Sequence, residues 1–153
     1  MKEIIVYEMV FKGEIKGREN IICVPFQEKY WKDYMEIYNV CFSRMRDALE
    51  IQPVFFYSDY SQFKDKADNT FLCLQGGDIA GAVSCYGNEL DDLVVNPLFQ
   101  RKGYGRQLLL WGMNCIKERG YDEIVLHVAE WNQNAVKLYL ETGFEIMKKE
   151  KVR

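Results

Sequence analysis

The spacing of apolar residues divides the chain into strand-like and helix-like runs. Ile4 to Phe11 reads as a strand, Gly13 to Gly17 as a turn, and Ile21 to Val24 as a second short strand stopped by Pro25, an N-terminal hairpin. From Glu28 to Phe42 the positions Trp31, Met35, Tyr38 and Phe42, joined by Tyr34 and Cys41, recur every three or four residues, the spacing of an amphipathic helix. Arg44 to Ile51 can continue it until Pro53. Ser58 to Asn69 is polar, with Tyr60 and Phe63 as anchors of a loop or short helix. Phe71 to Leu74, Ile79 to Tyr86 and Glu89 to Val95 are strand-like runs separated by Gly76-Gly77-Asp78 and Gly87-Asn88. Both separators favour tight turns, so the three runs predict an antiparallel meander.

The second half alternates helix and strand. Leu108, Leu109, Gly112, Met113, Cys115 and Ile116 share one broad face of a helix from Gln107 to Glu118; Lys117 and Arg119 suit its C-terminus and Gly120 ends it. Glu123 to Val128 follows as a strand reached by a helical crossover, which predicts pairing parallel to the strand ending at Val95. Asn132 is placed as an N-cap, Ala135, Leu138, Tyr139 and Thr142 lie at helical spacing, and Gly143 terminates that helix before a last strand, Phe144 to Lys149. The order β-β-α-(α)-β-β-β-α-β-α-β describes one mixed α/β domain over residues 1–153, without repeats or linkers.

Chemistry concentrates where the meander meets the next helix. In Asn96-Pro97-Leu98-Phe99-Gln100-Arg101-Lys102-Gly103-Tyr104-Gly105-Arg106 a strand breaks at Pro97 and restarts as a helix through a glycine-rich, basic turn. The first turn of a helix presents N–H groups without intrahelical partners and a partial positive charge, which suits a phosphate or pyrophosphate. Gly103 and Gly105 permit unusual dihedrals and close approach, and Arg101, Lys102 and Arg106 add charge. The spacing matches neither a dinucleotide fingerprint nor a P-loop. Glycines and cations also populate ordinary strand-to-helix turns, so the turn alone leaves both readings open.

Composition narrows the function classes. With 48% apolar and 28% charged residues in 153, the chain reads as one soluble globular domain with a real core. A net charge of −3 argues against a general nucleic-acid binder. The five cysteines, Cys23, Cys41, Cys73, Cys85 and Cys115, are widely spaced in apolar segments, as in a reduced cytoplasmic protein. With no C-x-x-C pair and His127 as the single histidine, no metal site is expected. No apolar run reaches the about 20 residues of a membrane span, and carboxylates interrupt the N-terminus too soon for a signal peptide.

Two motifs in order resemble the GNAT superfamily of N-acetyltransferases. Gln100-Arg101-Lys102-Gly103-Tyr104-Gly105 matches its [Q/R]-x-x-G-x-[G/A] signature, preceded by Val95-Asn96-Pro97 in place of V-x-P. Asn132 to Phe144 follows its N-x-x-A-x-x-L-Y-x-x-x-G-F pattern. The resemblance is close from Leu93 to Glu145 and topological before that. It implies a mixed sheet of about six to seven strands, splayed in the middle and flanked by about four helices. It implies acetyl-CoA as co-substrate, its pyrophosphate on the N–H groups of Gln100, Arg101, Lys102, Gly103, Tyr104, Gly105 and Arg106. The pantetheine arm would pair with the backbone of Leu93, Val94 and Val95, with Asn132 beside it and Tyr139 near the sulfur.

The implied reaction is direct attack of a neutral amine of a small molecule or peptide on the thioester, which requires a base, an oxyanion donor and an acid for the thiolate. Tyr139 is the candidate acid and the Val95 N–H the oxyanion donor. Glu89 and Asp91 are the candidate bases, directly or through water; strand parity places them on one face with Leu93 and Val95, while the alternative is a solvated turn end shared with Asp92. His127 is expected to be a structural histidine in a strand covered by helices. Tyr30, Trp31, Tyr34, Tyr38, Arg44, Arg46 and Phe55-Phe56-Tyr57 are the residues from which an acceptor pocket, or simply helix core, would be built. A non-catalytic acyl-CoA-binding domain is the competing function. An exposed edge of the N-terminal hairpin would be the place for a homodimer contact.

Overall fold

The meander predicted from the two glycine turns is present in the computed structural model, which describes residues 2–153. Strands β3 (Thr70–Gln75), β4 (Asp78–Tyr86) and β5 (Glu89–Val95) pair antiparallel in sequence order. The full sheet has seven strands in the order β2-β3-β4-β5-β6-β1-β7, with β1 Ile5–Lys12, β2 Cys23–Pro25, β6 Glu123–Ala129 and β7 Glu145–Lys151. Helices α1 (Trp31–Ala48), α2 (Tyr104–Glu118) and α3 (Gln133–Thr142) flank it, and short 3-10 turns at Tyr60–Gln62 and Lys64–Asn69 occupy the polar stretch after α1.

The expected N-terminal hairpin does not form. β1 lies between β6 and β7, antiparallel to both, whereas β2 pairs with β3 at the opposite end of the sheet. The segment from Gly13 to Ile22, expected to hold a turn at Gly13 to Gly17 and the start of a strand at Ile21, instead crosses the α2 face: Asn20 N–H donates to Gln107 Oε1 at 2.6 Å and Asn114 Nδ2 donates to Glu19 Oε2 at 2.7 Å. Ile15 and Ile21 pack into the core beneath this strap. The edges of the sheet are therefore β2 and β7.

Two cores hold the layers. On one face, Leu108, Leu109, Met113 and Ile116 of α2 and Val136 and Tyr139 of α3 pack on Tyr7, Met9, Phe11, Val83, Leu90, Ile124, Leu126 and Val128. Gly112 lets α2 approach closely, since a Cβ there would stand 2.9 Å from Leu90 Cδ1. On the other face α1 and the loop after it build an aromatic core around Phe63 and Tyr34, both with no exposed surface, on Leu72, Ile79, Ala82 and Val94. This second core covers the sheet from β2 to β5; beyond it His127 of β6 is exposed.

β5 and β6 run parallel and share a single registered pair, Glu89 with Val125, before they diverge. The divergence follows from an irregularity in β5. The register with β4 shifts between Ala82 and Ser84, and Asp92 takes φ 47°, so two β5 residues stand opposite one β4 residue, as at a β-bulge.

Candidate active site

The gap opened by that divergence is a cleft of about 230 Å³ walled by Phe42 and Met45 of α1, Asp91, Asp92 and Leu93 of β5, His127, Val128 and Ala129 of β6, and Asn132, Ala135, Leu138 and Tyr139. Main-chain groups also face it. Asn96 N–H donates to Ala80 O at 2.9 Å, so by the alternation of an antiparallel pair Val95 turns its own N–H and C=O away from β4, toward the gap. Its carbonyl accepts from Gln100 Nε2 at 3.1 Å and from the Cys41 thiol at 3.2 Å. Burial pushes the Cys41 thiol up to about 11, so it is no ready nucleophile.

The basic turn sits at the end of β5. Asn96 fixes its entry: Oδ1 accepts from Leu98 N–H at 3.0 Å and Nδ2 donates to Ile79 O at 2.9 Å. Arg101 (φ 64°) and Gly103 (φ 86°) are both left-handed, a backbone course that turns successive N–H groups inward. α2 begins at Tyr104, three residues earlier than the apolar period indicates, which places Gly105 and Arg106 in its first turn. No side chain caps that helix, and a Cβ at Gly103 would meet nothing within 4 Å, so the N–H groups face an open cradle. Arg101, Lys102 and Arg106 are exposed and make no ion pair among the described residues; Lys102 lies over the Phe99 ring at 5.6 Å. Gly105 rests against Val95 and Leu138, which joins the cradle to the cleft.

Tyr139 projects from α3 into the cleft and is 9% exposed. α3 is set by the caps expected of it: Asn132 Oδ1 accepts from Ala135 N–H at 3.4 Å, and Gly143 closes the helix at φ 113°. Burial, and then the charge of Asp91, push the Tyr139 phenol up to about 12, so it carries its proton at neutral pH.

The carboxylates are not disposed as strand parity predicts. Because of the bulge, Leu90 faces α2 while Val94 faces α1, and the parity of Glu89 and Asp91 does not carry through to Leu93 and Val95. Asp91 lines the cleft, and Glu89 stands at its rim, bound to His127. Asp92 is not a solvated neighbour either. Its side chain is 9% exposed, Oδ1 accepts from the Tyr38 hydroxyl at 3.4 Å, and Lys66 Nζ lies 3.6 Å from Oδ2. Burial and the adjacent Asp91 push its carboxyl up to about 6 against the pull of Lys66.

His127 also departs from expectation. No helix covers it: the side chain is 45% exposed, with Nδ1 3.1 Å from Glu89 Oε1 and Nε2 3.2 Å from Glu8 Oε1. Sequence reading missed Asp92, Glu8 and Met45 as neighbours of the cleft. The adjacent pair Asp91-Asp92 was the one available signal, since a carboxylate at each of two successive strand positions cannot leave both on a single face. Of the acceptor-pocket residues, Tyr34 and Tyr57 are core, and Arg46 is fixed on Pro53 O at 2.7 Å and over the Phe56 ring. Arg44 lies near the outer mouth, with Gln100 and Trp131.

Comparison with known proteins places this geometry. The model of the acetyltransferase (GNAT) family matches residues 30–144. An uncharacterized N-acetyltransferase of Methanocaldococcus jannaschii is 27% identical over 151 residues, covering 92% of this chain and 64% of that protein. The fold is shared with a GNAT-family acetyltransferase of Colwellia psychrerythraea (TM-score 0.73, 12% identity, 97% of this chain and 54% of the other). It is shared as well with PaiA N-acetyltransferase of Thermoplasma acidophilum, solved in complex with coenzyme A (TM-score 0.62, 15% identity, 86% and 99%). The chain spans between 15% and 64% of the length of the curated relatives it matches.

Proposed function

This chain belongs to the GNAT family of acetyltransferases, and from that premise we propose that it moves an acetyl group from acetyl-CoA to the primary amine of a small molecule or peptide, by direct attack in a ternary complex. The observation that carries the reading is the meeting, in one cleft, of the protonated Tyr139 phenol and the Asp91-Asp92 pair, on the strand that leads through Val95 to an open N–H cradle.

Each group has a task that its surroundings suit. The N–H groups from Gln100 to Arg106, with three exposed cations, hold the pyrophosphate. The backbone of Leu93 to Val95 receives the pantetheine arm as an added strand, beside Asn132. The amine nitrogen attacks the thioester carbon, and the Val95 N–H stabilises the oxygen that becomes negative. The proton released from nitrogen passes to Asp91 or Asp92, directly or through water; burial gives Asp92 the proton affinity of a useful base near neutral pH. Glu89 supports the acceptor side through His127. As the carbon–sulfur bond breaks, its electron pair goes to sulfur and the Tyr139 proton follows it. Cys85 takes no part: it is buried against Gly112 O, outside the cleft.

Release of free thiol from acetyl-CoA across a panel of primary amines, alongside calorimetric binding of coenzyme A, tests the reading. Turnover with micromolar binding is the expected result. Binding without turnover would instead identify a non-catalytic acyl-CoA-binding domain, and absence of binding would overturn both.

A further inference from the structure

The 3-10 turn Lys64–Asn69 is fastened to the rest of the fold through the backbone of Lys66. Lys66 N–H donates to the carbonyl of Phe63 at 2.7 Å, and Phe63 is a fully buried anchor of the aromatic core. On its other side, Lys66 O accepts from Thr70 Oγ1 at 2.9 Å, and that hydroxyl lies 2.8 Å from Ser84 Oγ of β4; neither Thr70 nor Ser84 has exposed surface. The main chain of Lys66 is therefore tied to the core at one end and to the neighbour of β5 at the other. Its side chain is 39% exposed, yet its ion pair is not with Asp65 or Asp68 of the same turn. Nζ lies 3.6 Å from Oδ2 of Asp92, at the bulge.

Asp92 has little other support. The Tyr38 hydroxyl donates to Oδ1 at 3.4 Å, and Oδ2 has no hydrogen-bond partner among the described residues. Tyr34 of α1, Tyr57 of the segment after α1 and Tyr86 of β4 feel the charge of the same carboxylate, and their hydroxyls are likewise buried without a partner. Burial pushes all four phenols up, so they stay protonated and neutral. The charges that bear on Asp92 are then two: Asp91, beside it on β5, and Lys66. A buried charge is costly unless it is paired, and Lys66 is the one cation that faces this carboxylate among the described residues. At 3.6 Å the ammonium stands beyond hydrogen-bond distance, so it acts by its charge and not by a directed bond.

Building on the acyltransferase reading of the cleft, we propose that Lys66 is a positioning residue for the reaction: reaching across from the turn, it holds the Asp92 side chain at the bulge as a carboxylate able to take the proton of the attacking amine. Lys66 is absent from the cleft walls and touches neither acceptor nor thioester, so its effect passes through Asp92. Its charge opposes the burial and the Asp91 charge that push the Asp92 carboxyl up, and its loss leaves those two unopposed.

The test compares Lys66→Met, which keeps the stem and removes the charge, and Lys66→Arg, which keeps the charge, with the unaltered protein in the pH dependence of kcat/KM for thiol release. Lys66→Met should move the acid limb up by about one pH unit and regain its rate at alkaline pH, and Lys66→Arg should return the limb to its original place. Lys66→Gln gives the same reading should the methionine variant fold poorly. A limb that stays in place without the cation, or a rate lost evenly at every pH, overturns the inference and leaves Lys66 as packing. Carbon-13 NMR of the Asp92 carboxyl in the same proteins, without acceptor or acetyl-CoA, separates the inference from the reading on which it rests. If no amine is acetylated, a carboxyl midpoint that rises in Lys66→Met and returns in Lys66→Arg upholds the linkage though transfer has failed, and a midpoint common to all three proteins overturns it.

Discussion

Leu90 and Val94 face opposite sides of the sheet although they stand four positions apart, an even spacing that keeps both on one face of a regular strand. The extra residue is Asp92, held at φ 47°. The bulge does two things at once: it parts β5 from β6 and it drives a carboxylate into the aromatic core beside Tyr38 and Lys66.

That burial has a measurable cost. Asp92 is raised to about 6 in the fold against about 4 in the unfolded chain. Below pH 4 both states are protonated and the group is neutral to stability; as pH rises through 6 the unfolded state gains the charge more readily, and the fold loses on the order of 2 kcal/mol. Asp92→Asn should therefore raise thermal stability at pH 8 and make no such difference at pH 4. A stability gap that does not vary with pH would show that the carboxyl titrates normally.

The proposed mechanism makes the same group a candidate base. If Asp92 accepts the amine proton, kcat/KM falls on the acid side with a midpoint near 6, because protonation removes the base. Asp92→Asn should abolish that limb, whereas Asp91→Asn should move it down, since one like charge has gone. Profiles that superimpose on the parent in both variants would assign the proton to water alone.

Tyr139→Phe keeps the ring against Phe144 and deletes only the donor. Turnover should drop roughly a hundredfold, the scale of lost general-acid catalysis, with coenzyme A affinity nearly unchanged in calorimetry. Full turnover would leave Tyr139 as packing.

At the anion cradle, Gly103→Val forces a β-branched residue into φ 86° with open space around it. The stability loss should be modest, about 1 to 2 kcal/mol, while acetyl-CoA KM rises sharply and loses part of its salt dependence. Arg106→Ala should raise KM without touching stability.

Gly81→Ala tests how tightly β5 is placed. A Cβ there would stand 2.7 Å from the Val94 carbonyl oxygen and 2.5 Å from Leu108 Cδ1; the side chain can move, but the backbone oxygen cannot without shifting β5. Beyond an overpacking cost of about 1 to 3 kcal/mol, kcat should fall more than acetyl-CoA affinity, since the cleft wall moves while the cradle stays. Equal loss of both would mean general damage.

Legibility in the sequence followed the range of the determining interactions. The meander and the limits of α3 are set within a few residues, by Gly76-Gly77, Gly87-Asn88, Asn132 and Gly143, and these were readable. The turn at the start of α2 was readable because Gly103 marks unusual backbone locally. The bulge was not, since Asp92 adopts a left-handed conformation with no glycine to announce it, and period-two parity assumes a regular strand. The place of β1 depends on partners more than 110 residues away, and residues 13–22 carry the composition of a turn while acting as a strap. The exposure of His127 depends on where α1 stops covering the sheet, which no pattern within β6 records.

The insertion of β1 between β6 and β7 also sets an order of events for a chain made from its N-terminus. The first strand must wait, unpaired, while more than a hundred further residues are synthesised before either of its neighbours exists. The meander and α1 can assemble meanwhile, from contacts close in sequence. The sheet face that carries Glu8 and His127 thus comes into being late, and the apolar strand from Ile5 to Phe11 is a segment in need of protection from aggregation until it does.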